Sequence, residues 1–338
     1  MEKNINSFEN IKKLLTKEPS MRFNGTENFG VWQEKAHKTL YSLLGLDRML
    51  KSECDDFHIT KSEKKDGFSE IHFCFQSEPQ YYVPCCMLIP DNQSASDGTF
   101  ICLQGHSTGM HISYGVPHFK GDDKTIANGD RDFALRAVKE GFCAVCMEQR
   151  YMGLCGQSDD GEPACLNGDS LSGILLGRCA VGERVWDIMR LIDVLQEHFP
   201  ELNLNQLGCI GNSGGGTTSF YSACIDSRIK ITVPSCSVCT YKDSIGAMHH
   251  CACNYIPRIA EFFDMGDLSG LIAPRKLLII NGSEDIIFPM NGVLEAFETT
   301  KKYYKAAGAE ENCELATGNG GHRMYADLAW SIIHKMLK

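Results

Sequence analysis

The 338-residue chain is 43% hydrophobic and 22% charged, the balance of a globular protein with a full core rather than of a disordered chain. Its 33 Lys and Arg against 43 Asp and Glu leave a formal net charge of −10, which excludes the concentrated positive charge that nucleic acid or an anionic membrane would require of a partner. Seventeen cysteines, scattered through apolar runs such as Phe142–Cys146, point to reduced, buried thiols and away from the disulfide framework of a short secreted chain.

The segment Met1–Ser20 is charged and lacks the apolar core of a signal peptide, and no run reaches the roughly 18 apolar residues that span a bilayer. The expectation is a soluble, cytoplasmic protein. Residues 1–65 read as a helical N-terminal extension: Trp32–Leu46 carries apolar residues at helical spacing, and Lys61–Gly67 is a polar break. A catalytic domain over 66–338 follows. Ile71–Phe75 and Tyr82–Ile89 form a hairpin pattern, and short apolar runs recur at Thr99–Leu103, Phe142–Met147, Leu207–Ile210, Lys230–Val233, Lys276–Ile280 and Cys313–Ala316. Helical patterns separate them at Ala127–Glu140, Gly182–His198, Gly215–Ile225, Gly292–Ala307 and Met324–Leu337. This alternation predicts an α/β fold with a mostly parallel central sheet covered by helices on both faces. Two irregular stretches, 152–176 and 235–271, read as lid-like insertions over a site.

Chemistry concentrates at Gly211-Asn212-Ser213-Gly214-Gly215, which lies between a strand and a helix. A nucleophile on a tight strand-to-helix turn needs small residues two positions before and two after it, and Gly211 and Gly215 stand there. The turn would aim Ser213 Oγ outward and the Gly214 N–H toward a developing oxyanion. A plain glycine loop or a phosphate cradle is the blander reading, but no Gly-Lys-Ser/Thr follows.

In the α/β-hydrolase arrangement the acid follows a late strand and the histidine follows the last one. Asp285, three residues after Gly282, fits the first place better than its neighbour Glu284. His322, in a glycine-rich loop, fits the second, while His334 falls inside the last helical pattern. The predicted triad is therefore Ser213, Asp285 and His322. Gln104-Gly105-His106 ends an early strand where the second oxyanion donor belongs, and the His106 backbone N–H is the candidate. Glu148 and Arg150 lie near substrate entry, either in contact with substrate or, as preferred, bracing the loop as a pair. Asp187 and Arg190 are placed to pair along one helix.

Cys236, Cys239, Cys251 and Cys253, with His249 and His250, resemble a zinc ligand set in type but not in spacing. The preferred reading is no metal, with Cys236–Tyr255 forming a wall or lid and His249 or His250 touching substrate.

The segments Gln104–His106, Glu148–Gly153, Gly182–Arg190, Gly211–Gly216, Asn254–Pro257 and Ile272–Arg275 resemble the acetyl xylan esterase and dienelactone-hydrolase-like branch of the α/β-hydrolases, from about residue 70 onward. The resemblance implies hydrolysis of a short-acyl ester, often on a carbohydrate, without a cofactor. Gly214 departs from the Gly-x-Ser-Gln-Gly of typical deacetylases in that branch, which bears on substrate rather than on chemistry. The expected activity is that of a serine carboxylic-ester hydrolase acting through an acyl-enzyme on a small-molecule or carbohydrate ester. Nucleic acid and membrane are not expected partners, and a homo-oligomer is left open. The rival readings are a serine peptidase or amidase with the same triad, and a non-catalytic scaffold that binds metal through its Cys/His cluster.

Overall fold

A computed structural model describes residues 6–92, 98–156 and 168–338. Part of the insertion expected at 152–176 therefore lies outside the described residues. The strands are β1 (His58–Lys64), β2 (Phe68–Glu78), β3 (Tyr81–Pro90), β4 (Thr99–Leu103), β5 (Cys143–Met147), β6 (Leu207–Asn212), β7 (Ile231–Ser235), β8 (Lys276–Gly282) and β9 (Cys313–Gly318). They form one sheet in the order β1-β2-β3-β5-β4-β6-β7-β8-β9. The β1 to β3 edge is antiparallel and joins β5 antiparallel, whereas β5 through β9 run parallel. Strands β4 to β7 are buried along their whole length, which is why they read as continuous apolar runs.

The helices are α1 (Ser7–Leu14), α2 (Phe29–Leu43), α3 (Asp122–Asn128), α4 (Phe133–Lys139), α5 (Ala180–His198), α6 (Gly214–Ile225), α7 (Ile259–Phe262), α8 (Met265–Leu268), α9 (Met290–Ala306) and α10 (Ala326–Leu337). Successive strand residues point to opposite faces, and the core divides accordingly. Val145 and Ile279 join a cluster with Leu40 of α2, Leu191 of α5 and Phe220 of α6. Ala144, Cys146, Leu278 and Ile280 join a second cluster with Phe133 of α4 and Trp330 of α10. Sheet and two helical layers thus match the α/β expectation.

Two elements differ from the sequence reading. Residues 58–64 fall within the stretch expected to be helical, yet they form the edge strand β1. Its side chains are almost all exposed, so its backbone ladder to β2 carries the pairing and the Lys/Glu composition hides it. The helical pattern at 127–140 is broken between α3 and α4, and Asp130 in the break has φ 47°.

The N-terminal helices are part of the body. Trp32 is 2% exposed, donates from Nε1 to Met21 O at 2.7 Å, and packs on Phe29 and Tyr303 with ring centroids 5.5 and 4.9 Å away. Gln33 donates to the Gly270 and Ala273 carbonyls at 2.8 Å, and Arg22 grips Asp267 through two bonds of 2.9 and 3.1 Å. Among the described residues no helix is long and apolar enough to cross a membrane. Trp32→Ala is expected to lower stability by about 3–5 kcal/mol in urea denaturation, because it empties a large buried site shared by α2 and α9.

Candidate active site

Ser213 joins β6 to α6 with φ 55° and ψ −121°, a backbone conformation a non-glycine residue adopts only when its surroundings enforce it. Its amide donates to Ser235 O of β7 at 2.8 Å. The flanking glycines are required by close approach rather than by freedom of φ. A Cβ at Gly211 would fall 2.5 Å from the Gly215 backbone, and one at Gly215 would strike the Leu103 and Gln104 carbonyl oxygens. Gly105 packs the same way, since its Cβ would lie 3.0 Å from that of Ser213. Gly214 opens α6, so its amide is one of the first-turn donors without an intrahelical acceptor.

The loops after β8 and β9 meet beside this turn. Ser283 and Glu284 donate their amides to the Gly318 and Gly320 carbonyls at 2.9 and 2.8 Å, which brings Asp285 to His322. Asp285 Oδ2 lies 2.8 Å from His322 Nδ1, and Oδ1 accepts the Ile287 and Phe288 amides at 2.8 and 3.1 Å. Burial pushes the Asp285 carboxyl up, but the His322 bond and these amides outweigh it and hold it below the ordinary aspartate value. Glu284 is exposed, so of the two neighbours Asp285 is the one placed against the imidazole. The His322 ring stacks on Phe288, and Ser235 Oγ lies 3.4 Å from Arg323 O, linking the serine strand to the histidine loop. His334 pairs with Glu140 at the surface.

His106 and His322 line one cavity of about 460 Å³, together with Thr108 and Arg131. A neighbouring cavity of about 540 Å³ shares Thr108 and is lined by Glu148, His111 and Tyr114. Glu148 is 2% exposed and accepts the Met110 and Leu154 amides at 3.1 and 3.2 Å. Burial outweighs these bonds and pushes its carboxyl up to about 7.

Arg150 does not pair with Glu148. Its guanidinium forks onto Asp187 with two bonds of 2.8 Å, meets Glu78 at 2.8 Å and lies over the Tyr81 ring. These contacts brace the loop after β5 against β2 and α5. The expected helical pair of Asp187 and Arg190 gives way as well, since Arg190 meets Asp193 instead. Gln149, not singled out from sequence, ties the loop after β4 to α6: it donates to Gln104 O at 2.6 Å and accepts from Thr218 Oγ1 at 2.7 Å. The only sequence signal for it was its place in the Glu148–Gly153 segment.

The four cysteines of the zinc-like set do not converge. Among the described residues the groups able to offer three ligand atoms within 4.8 Å are Cys236, Asp285 and His322, and Asp55, Glu197 and His198. Cys236 underlies the acid and the histidine, Cys239 lies toward Pro289 O, and Cys253 turns to His106, with Nε2 and Sγ 2.9 Å apart. His249 is exposed. His250 is buried, receives the Asn254 amide at Nδ1 at 2.9 Å, and its Nε2 has no partner among the described residues. Burial, then the neighbouring His106, pushes His250 down to about 4 and keeps it neutral.

Two outcomes follow. Arg150→Ala leaves Asp187 and Glu78 without their shared cation and is expected to cost about 3–5 kcal/mol in denaturant titration. For Glu148, whose ordinary value is 4.5, the folded state holds more protons than the unfolded chain between about 4.5 and about 7. Stability from this group is therefore lost as pH rises through that window. Melting curves of Glu148→Gln are expected to gain on wild type between pH 5 and pH 8.

Comparison with known proteins agrees with this architecture. A model of the Abhydrolase family matches residues 3–180, beginning inside the N-terminal extension and ending before Ser213. YtaP of Bacillus subtilis (strain 168), provisionally named a hydrolase, is 28% identical over 152 residues, which are 44% of this chain and 50% of YtaP. The matched part thus spans half the length of that relative. A crystal structure from Bacteroides fragilis NCTC 9343, provisionally named an acetyl xylan esterase, superposes with a TM-score of 0.81 at 16% identity, covering 99% of this chain and 96% of that one. A glucuronoyl esterase from Solibacter usitatus superposes with a TM-score of 0.70 at 12% identity, over 95% and 97% of the two chains. The family match covers more than half of the 338 residues, and the chain belongs to the Abhydrolase family, with the α/β-hydrolase fold.

Proposed function

We propose that this chain is a serine carboxylic-ester hydrolase that works through an acyl-enzyme on short-acyl esters, with a carbohydrate as the favoured alcohol part. Family membership and the likeness to YtaP support a hydrolase, and the names of the structural neighbours favour esters of carbohydrates. The observation that carries the reading is the strained Ser213 turn at the C-terminal end of a central parallel strand, beside the bonded pair of Asp285 and His322.

Ser213 Oγ attacks the ester carbonyl while His322 Nε2 takes its proton. Asp285 holds Nδ1–H at 2.8 Å, fixes the tautomer and stabilises the imidazolium. The Gly214 amide and the His106 backbone N–H receive the oxyanion. His322 then gives its proton to the leaving alcohol, and water, activated by the same imidazole, releases the acid. Because Nδ1 of His250 accepts from Asn254, its Nε2 carries a proton, and this buried donor contacts the substrate with its exposed neighbour His249. Glu148, on the wall of the adjoining cavity, contacts the alcohol part. The buried thiols fit a reducing cytoplasm.

Wild-type protein is expected to release p-nitrophenol from the acetyl ester and to be labelled by a fluorophosphonate at Ser213. Ser213→Ala and His322→Ala should each lower turnover by on the order of 10⁴- to 10⁶-fold. Wild type that neither cleaves the ester nor takes the label would sink the proposal, and faster cleavage of peptide than of ester substrates would replace esterase by peptidase.

A further inference from the structure

Three side chains from distant parts of the chain meet behind the start of α6. His106 Nε2 lies 2.9 Å from Cys253 Sγ, and Arg184 Nη1 of α5 lies 3.4 Å from the same sulfur. Cys253 and Arg184 are each 1% exposed, so the contact is sealed from water. Arg184 also donates from Nε and Nη2 to Arg150 O at 3.0 and 2.9 Å, which fixes its fork. A guanidinium has no acceptor atom, so the sulfur receives its N–H. A cation held against a buried sulfur favours the thiolate over the thiol. His106 Nε2, 2.9 Å from the sulfur, is placed to take the Cys253 proton and to donate it back to Sγ.

The other edge of the ring faces the site. A Cβ at position 214 would fall 3.0 Å from His106 Cε1 and 3.3 Å from Nδ1, so the imidazole occupies the space over the first turn of α6 that a side chain there would need. The ring also lines the cavity that His322 lines.

We infer that Cys253, as a thiolate between Arg184 and His106, is a positioning residue that holds His106 as an imidazolium beside the Gly214 amide, where its charge stabilises the oxyanion. The inference rests on the reading of Ser213 as nucleophile. It adds a full positive charge to an oxyanion site otherwise built from backbone amides, in a pocket where water screens little. The ionisable groups around the ring are Cys251 and Cys253 from the lid segment, Arg184 from α5, and His250 and His322. Burial draws His106 toward its neutral form, but the Cys253 and Cys251 sulfurs outweigh it and push the ring up to about 9. The depressed value of His250 has His106 as its second cause, as a charged neighbour requires.

The test pairs a spectroscopic readout with kinetics on the full chain. At pH 7 the wild type is expected to show a thiolate absorbance in the ultraviolet, over a background in which burial pushes the strand thiols of Cys85, Cys86, Cys102, Cys146 and Cys209 upward. Cys253→Ser should abolish that absorbance and lower kcat on p-nitrophenyl acetate by about 10- to 100-fold with KM little changed. His106→Gln, which leaves the sulfur in place, should abolish the absorbance as well and lower kcat by about 10²-fold. Equal absorbance in wild type and both variants, with Ser213 still labelled by a fluorophosphonate, overturns the ion pair alone. A thiolate signal in a wild type whose Ser213 takes no label overturns the nucleophile reading and the oxyanion role with it.

Discussion

Ser213 is held at φ 55° and ψ −121°, and the neighbouring backbone is arranged around that one conformation. Such a residue costs on the order of 1–3 kcal/mol, so it persists only when its neighbours over-determine it. Here the Ser213 amide is anchored to Ser235 O at 2.8 Å. β6 and α6 approach so closely that Gly211 and Gly215 leave no room for a Cβ. The same approach presses Gly215 onto the Leu103 and Gln104 carbonyls, so the loop after β4 takes its position from the Ser213 turn.

Beyond that contact, a second layer of polar side chains fixes the loops around the turn. Gln149 links Gln104 to Thr218, and Gln104 in turn donates to Ser113 Oγ and Arg131 O at 2.6 Å. Thr108 and His111 close on Asp122 at 2.7 and 2.9 Å. Arg150 anchors the loop after β5 to β2 and α5 at once, through Glu78 and Asp187. A buried pair of this kind adds little net stability over an apolar substitute, but removing one partner leaves a buried charge. Its contribution is therefore geometric: the loop bearing Glu148 and Gln149 is pinned to the sheet and to α5.

Much of this was legible in the sequence because the signals are local or ordered along the chain. Buried parallel strands announce themselves as apolar runs, and a serine between glycines at a strand-helix junction restricts what can follow it. The order of Ser213, Asp285 and His322 needed only the positions of the late strands. What stayed hidden depends on partners distant in sequence. β1 pairs through its backbone and leaves nearly all its side chains in solvent, so no apolar alternation marks it. The choice of Asp187 over Glu148 as the partner of Arg150 is made by the packing of α5 on the sheet, which no spacing encodes. The cysteines of the 236–253 segment likewise find partners that spacing does not encode: Cys253 is bonded to His106, 147 positions earlier. Asp285 was separable from Glu284 by motif spacing, and burial agrees with that choice.

The space above the first turn of α6 belongs to two positions at once. His106 fills it in this chain, and Gly214 leaves it open; residue 214 is the one that departs from the glutamine of typical deacetylases. Neither position can be exchanged freely on its own. A larger residue at 214 meets the imidazole, and a smaller residue at 106 leaves a void that the sealed Cys253 and Arg184 border. The two sites are thus coupled by packing, and their substitution effects should not add.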